Sequence, residues 1–213
     1  MRRLLLFSIS ILSAANAAGQ VFGKIYESEN LSEIVKTQKN FAVVPFNYSI
    51  ALKKMPKGMT QENIKSQEGK GSLSAQNSFY TYALEKKERG VMTIQMQDIS
   101  RTNTLLKRNE ISETNITNYL PEELCKVLEV DAILTGDIIA SQPMSEGAAL
   151  ATTILIGYGS TNKAKATIKI YDKSGELIWS YGKEVAGGLG SDDSDMIRRL
   201  MRKTARKFPY WKD

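Results

Sequence analysis

Six basic side chains, Arg198, Arg199, Arg202, Lys203, Arg206 and Lys207, crowd into one short stretch near the C-terminus. At 100° per residue they form one arc of a helix whose opposite arc is Ile197, Leu200, Met201, Thr204, Ala205 and Phe208. Such a helix packs on one side and shows cations on the other. A solvated face is the ordinary outcome, but like charges at i, i+4 repel one another and an anionic partner relieves that repulsion. The chemistry expected of these six residues is therefore docking, onto an envelope protein or an anionic envelope surface such as lipid headgroups or cell-wall polymer.

Other constellations offer less. Asp98, Asp131 and Asp137 stand near strand ends and suggest the acid/base pair of glycoside hydrolysis, yet nothing in their spacing favours it over capping or solvated roles. Gly187, Gly188 and Gly190 precede a helix start, where bare amides bind phosphate. Asp192, Asp193 and Asp195 would repel that phosphate while complementing the helix dipole, and no GK[ST] is present after them. The same aspartates lack the wider spacing and closing Glu of a calcium loop. Histidine is absent and Cys125 is the single cysteine, so His-based triads, His-ligated zinc, CxxC redox chemistry and an intrachain disulfide are excluded. Cys125 reads as a small buried hydrophobe. No catalytic residue, metal ligand or cofactor is expected.

The elements that must position these groups belong to a chain of 213 residues, 42% hydrophobic and 24% charged, a composition that suits one folded domain. Met1, Arg2 and Arg3, an apolar run at 4–12 and small residues at 13–19 have the order of a secretory signal cleaved after Ala17, Ala18 or Gly19. The run is too short for a membrane span, and no cysteine near the junction offers a lipid attachment point. Export to the periplasm or the extracellular space is expected. Of the net charge of +6, Arg2 and Arg3 account for two and residues 196–213 for six, leaving the body of the chain at −2. A local basic patch in an exported chain argues against nucleic acid.

Residues 28–38 carry Leu31, Ile34 and Val35 at helical spacing, and 41–46 (FAVVPF) is a buried strand with Pro45 at an edge or bulge. Residues 47–58 read as a loop. Thr60 caps a long polar helix that Gly69 and Gly71 would break, since each costs about 1 kcal/mol in a helix interior. Met92, Ile94 and Met96 alternate as a strand over 91–97, Asp98 caps a segment holding Leu105 and Leu106, and Pro121 opens a helix with a stripe of Leu120, Leu124, Val127 and Leu128. Residues 131–140 form a strand. Residues 166–181 alternate around the turn at 172–175 as a β-hairpin, and a helix begins near 191–195. Between these lies the apolar stretch 148–158. It reads first as core, and in the alternative as an assembly or membrane-contact flap built on Leu150, Ile154, Leu155, Ile156 and Tyr158.

The segments FAVVPF at 41–46, MTIQMQDISRTNTLL at 92–106, LCKVLEVDAILTGDI at 124–138 and TIKIYDKSGELIWS at 167–180 resemble the small α/β domain of bacterial envelope proteins. That group includes the TolB amino-terminal domain, the curli-secretion lipoprotein CsgG and the lipoprotein activators of penicillin-binding proteins. The resemblance implies an α/β (α+β) fold, a single domain whose mixed sheet carries a C-terminal β-hairpin flanked by helices, in an envelope setting. In CsgG-like proteins, insertions on this scaffold build an oligomeric pore, which implies a homo-oligomer for the alternative reading of 148–158. This chain lacks the lipoproteins' amino-terminal cysteine and TolB's propeller. The expected organisation is a signal at 1–19, a leading helical segment at 20–39 and one α/β domain at 40–213 ending in the basic amphipathic helix. Its expected role is a non-catalytic envelope accessory protein; a self-assembling secretion channel is the alternative, and a carboxylate hydrolase the third.

Overall fold

The computed structural model describes residues 23, 25–52, 55, 58–141, 163–186 and 193–212. The strands are β1 (Ile25–Glu27), β2 (Asn40–Val43), β3 (Asn47–Ala51), β4 (Gln95–Met96), β5 (Ala132–Ser141), β6 (Lys163–Asp172) and β7 (Leu177–Ala186). The helices are α1 (Leu31–Thr37), α2 (Gln61–Glu88), α3 (Ile99–Arg108), α4 (Pro121–Leu128) and α5 (Asp193–Ala205). One mixed sheet runs β1-β7-β6-β5-β2-β4, with β3 also paired to β5. This is the single α/β domain with a C-terminal hairpin that the sequence pattern calls for.

Hydrophobic patterning explains the layering. β2 is buried on both faces: Phe41 and Val43 enter the larger core under α2 and α5, while Ala42 enters the smaller one under α3 and α4. A strand covered on both sides reads as an unbroken apolar run, as residues 41–46 do. β5, β6 and β7 instead alternate, with Leu134, Ile138, Ile168, Ile170, Trp179 and Tyr181 on the larger core.

Several elements depart from the sequence reading. Residues 47–51 are a strand, where the pattern predicts a loop. Val43 pairs with Leu134 and Asn47 with Asp137, so residues 44–46 oppose two residues of β5, and Pro45 sits in a bulge that needs no N–H from it. The leading segment contributes β1, paired antiparallel to β7, besides its helix. Of residues 91–97 only Gln95 and Met96 form a strand; Met92 bridges Trp211 instead. Leu120, expected in the apolar stripe of α4, is exposed.

The long polar helix α2 is continuous through Gly69 and Gly71. Thr60 and Asn63 close its first turn reciprocally: the Asn63 N–H donates to Thr60 Oγ1 at 3.2 Å, and the Thr60 N–H to Asn63 Oδ1 at 2.9 Å. At Gly71 a methyl group would stand 2.6 Å from the Tyr48 ring, so the glycine lets β3 and α2 touch. The buried stripe Ser72, Ala75, Gln76, Phe79 and Ala83 then holds the helix to the sheet.

After α5 the chain turns back over the core. Phe208 lies beyond the helix end, 5.2 Å from Phe41 and 5.3 Å from Phe79 by ring centroids, and Tyr210 stacks on Phe41 at 5.9 Å. The Tyr210 hydroxyl donates to Gln38 Oε1, and burial pushes its pKa above the ordinary tyrosine value.

Candidate functional site

α2 and α5 lie side by side over the larger core, and between their outer flanks runs a groove of about 730 Å³. Its α2 wall is a stripe at i, i+3/i+4 spacing from Lys70 to Glu85, in which Ser74, Asn77, Ser78 and Thr81 offer three hydroxyls and an amide. Sixteen residues of helix make that wall about 24 Å long. The α5 wall is shorter and carries Asp195, Arg198, Arg199 and Arg202.

The structure divides the predicted basic arc. Arg198, Arg199 and Arg202 line the groove, whereas Lys203, Arg206 and Lys207 are exposed outside it. The opposite arc is buried as its periodicity requires, from Met196 and Ile197 to Thr204 and Ala205. The six cations are not without acids: Arg198 pairs with Asp195 one turn earlier, and Glu85 lines the same groove from α2. Lys70 and Arg202 make no ion pair among the described residues. At the far end of the α2 wall the Lys86 ammonium lies 5.7 Å from the Tyr82 ring centroid.

Sequence reasoning missed Lys70 and the hydroxyl stripe. They stand over a hundred positions before the arginines in a helix that is polar on most sides, and no local signal marks them as its partners.

The three carboxylates weighed for acid/base chemistry are each engaged in holding the fold. Asp98 Oδ1 accepts the N–H groups of Ser100 at 2.8 Å and Arg101 at 3.2 Å, as the cap expected there. The Arg101 and Ser100 amides keep its carboxyl below the usual range, helped by the Tyr80 hydroxyl. Burial works to raise Asp131, but the Lys39 N–H at 2.8 Å and the Lys173 ammonium at 3.3 Å win and lower it. Asp137 accepts from Lys169 Nζ and Asn47 Nδ2, both at 2.8 Å. Burial pulls the Lys169 ammonium down, and Asp137 more than offsets this, leaving the lysine pKa raised. Asp137 lies six steps beyond Asp131 along β5, about 20 Å at 3.3 Å per residue, far beyond the spacing of a glycosidase pair.

The crevice at the carboxyl ends of parallel β2 and β4, where open α/β sheets commonly take ligands, is filled by side chains. Gln76 Nε2 donates to the Val43 carbonyl at 2.8 Å and to Asn103 Oδ1 at 2.9 Å. Thr102 Oγ1 donates to Gln97 Oε1 at 2.8 Å, and Gln97 Nε2 to the Leu128 carbonyl at 2.8 Å. Gln76 and Thr102 are fully buried. Cys125 is buried as expected, with its thiol pushed up to about 12 by desolvation and then by Asp172, Asp131 and Glu122, so it is no nucleophile near neutral pH.

Residues 1–19, the glycines at 187–190, Asp192, and Leu150, Ile154, Leu155, Ile156 and Tyr158 lie outside the described residues. Among the described residues, no helix is long and apolar enough to cross a membrane.

No protein-family model matches the sequence, and no curated protein matches it. Among solved structures the chain is similar to lipoprotein GNA1162 from Neisseria meningitidis, at 15% identity and TM-score 0.46, over 79% of this chain and 96% of that one. It is also similar to a PelC dodecamer from Paraburkholderia phytofirmans, at 14% identity and TM-score 0.42, over 84% of this chain and 91% of that one. A third similar structure is the LpoB C-terminal domain from Salmonella enterica, at 10% identity and TM-score 0.34, over 73% and 91%. At these identities and TM-scores the likeness is a similarity of chain course and nothing more. It transfers no functional residue.

Proposed function

We propose that this protein is a non-catalytic accessory module of a bacterial envelope, exported to the periplasm or beyond, which docks an anionic envelope partner in the α2/α5 groove. The observation that carries the reading is the convergence of Lys70, Arg198, Arg199 and Arg202 on one open groove. Two further facts support it. The strand-end crevice is packed with satisfied amides, and the carboxylates that could serve catalysis are spent on caps and ion pairs. The export pattern at residues 1–19 supports the setting.

Chemical cross-linking of the tagged protein in its native envelope, with mass spectrometry of the captured material, tests this reading. The wild type is expected to capture one distinct envelope component. A variant with Arg198, Arg199 and Arg202 changed to Glu is expected to lose it while its circular dichroism spectrum stays the same. Capture unchanged by the triple reversal removes the groove from the account. Recovery of only its own chains in a fixed ladder favours self-assembly instead.

A further inference from the structure

The composition of the groove narrows the chemistry of its occupant. A docked amphipathic helix inserts apolar anchors at i, i+3/i+4 and i+7, and needs a greasy trough to receive them. Leu73 and Tyr82 are the two large apolar side chains among the described residues lining this groove, too few to receive such a row of anchors. A flat anionic bilayer calls for cations spread over one outward face, whereas Arg198, Arg199 and Arg202, though exposed, share a concave groove with the α2 wall.

The groove instead combines three kinds of polar group. Four cations supply charge, and arginine in particular matches a carboxylate with two parallel N–H donors. Ser74, Asn77, Ser78 and Thr81 are spaced along α2 to exchange hydrogen bonds with a ligand that carries hydroxyls at intervals. Glu85 and Asp195 add carboxylate acceptors, which suit hydroxyl donors and would oppose a purely anionic chain. Carboxylates and many hydroxyls on one extended molecule describe a uronic-acid polymer.

We infer that the α2/α5 groove binds a carboxylated glycan strand. Lys70 and Arg202, which make no ion pair among the described residues, receive sugar carboxylates, with Arg198 shared between the ligand and Asp195. The α2 stripe reads the hydroxyls. This inference rests on the docking reading above and names its ligand class.

The test titrates short oligogalacturonate into the full exported chain by isothermal calorimetry, beside polyglutamate, neutral dextran and phosphatidylglycerol vesicles. Oligogalacturonate is expected to bind, and Arg202→Glu to weaken it at least about tenfold, close to 1.4 kcal/mol. Asn77→Ala with Thr81→Val is expected to weaken it about threefold while polyglutamate is unaffected, because that pair touches hydroxyls and not charge. Both positions are exposed, so folding is retained, and the unfolding midpoint verifies this. Polyglutamate or vesicles binding as tightly as the glycan, or an Asn77/Thr81 variant with unchanged affinity, overturns the glycan inference and leaves anionic docking standing. No heat from the glycan overturns it too, while the cross-linking experiment decides the docking reading separately.

Discussion

Helix α2 has two polar flanks with opposite fates. On one, Gln76 is fully buried and donates to Val43 and Asn103, closing the crevice at the ends of β2 and β4. On the other, Ser74, Asn77, Ser78 and Thr81 border an open groove opposite the arginines of α5. Polar residues one position apart on one helix thus serve as mortar or as surface. What separates them is whether a backbone carbonyl at a strand end needs a donor. Where one does, the amide is drawn in and every partner is satisfied. Where the neighbour is another helix's charged side, no buried carbonyl calls for a donor and the polar side chains stay at the groove.

The largest effect that separates the two flanks is expected from Gln76→Leu. It strips the Val43 carbonyl and the Asn103 amide of their partner in a dry site, and should cost about 2–3 kcal/mol. Asn77→Ala on the groove side should change stability by no more than about 0.5 kcal/mol. Urea unfolding of both variants decides, and equal costs would dissolve the distinction.

A smaller contrast lies at the two glycines. Gly71→Ala places a methyl group 2.6 Å from the Tyr48 ring, and this overpacking should exceed the propensity gain, for a net loss of about 1 kcal/mol. Gly69→Ala meets only the flexible Glu113 side chain at 3.3 Å, and should gain up to about 1 kcal/mol. The unfolding midpoints should therefore move in opposite directions, and a shared direction would refute the packing account of α2.

The smallest expected effect is a pH dependence at Asp131, another polar group tied inward. Its pKa is lowered in the fold, so its stabilisation is complete above the unfolded value of about 3.9 and is lost as pH falls through the folded value. Asp131→Asn should be less stable than the wild type at neutral pH. The gap should close in acid, as read from unfolding midpoints between pH 7 and pH 2. A gap constant with pH would mean that Lys39 and Lys173 do not bias this carboxyl.

Legibility in the sequence tracked the range of the interactions. The hairpin of β6 and β7, the cap at Asp98, the helix opened by Pro121 and the two arcs of α5 were readable because each is set by residues within a few positions of one another. β3 was not, since Asn47–Ala51 becomes a strand only by lying beside β5, some ninety residues later. The continuity of α2 was hidden because the ring that compensates Gly71 comes from that same strand. Half of the groove was readable as a basic arc; its other wall was not.

By itself the sequence determined the periodicities, the charge and the chemistry excluded: a mixed α/β domain without histidine, whose last helix is apolar on one side and basic on the other. The folded molecule alone settled which of those basic residues share a groove, which polar residues seal a crevice, and that Asp131 and Asp137 are occupied. The physical reason is that a side chain's type and phase are local properties, whereas its partners are supplied by segments brought close when the two cores form.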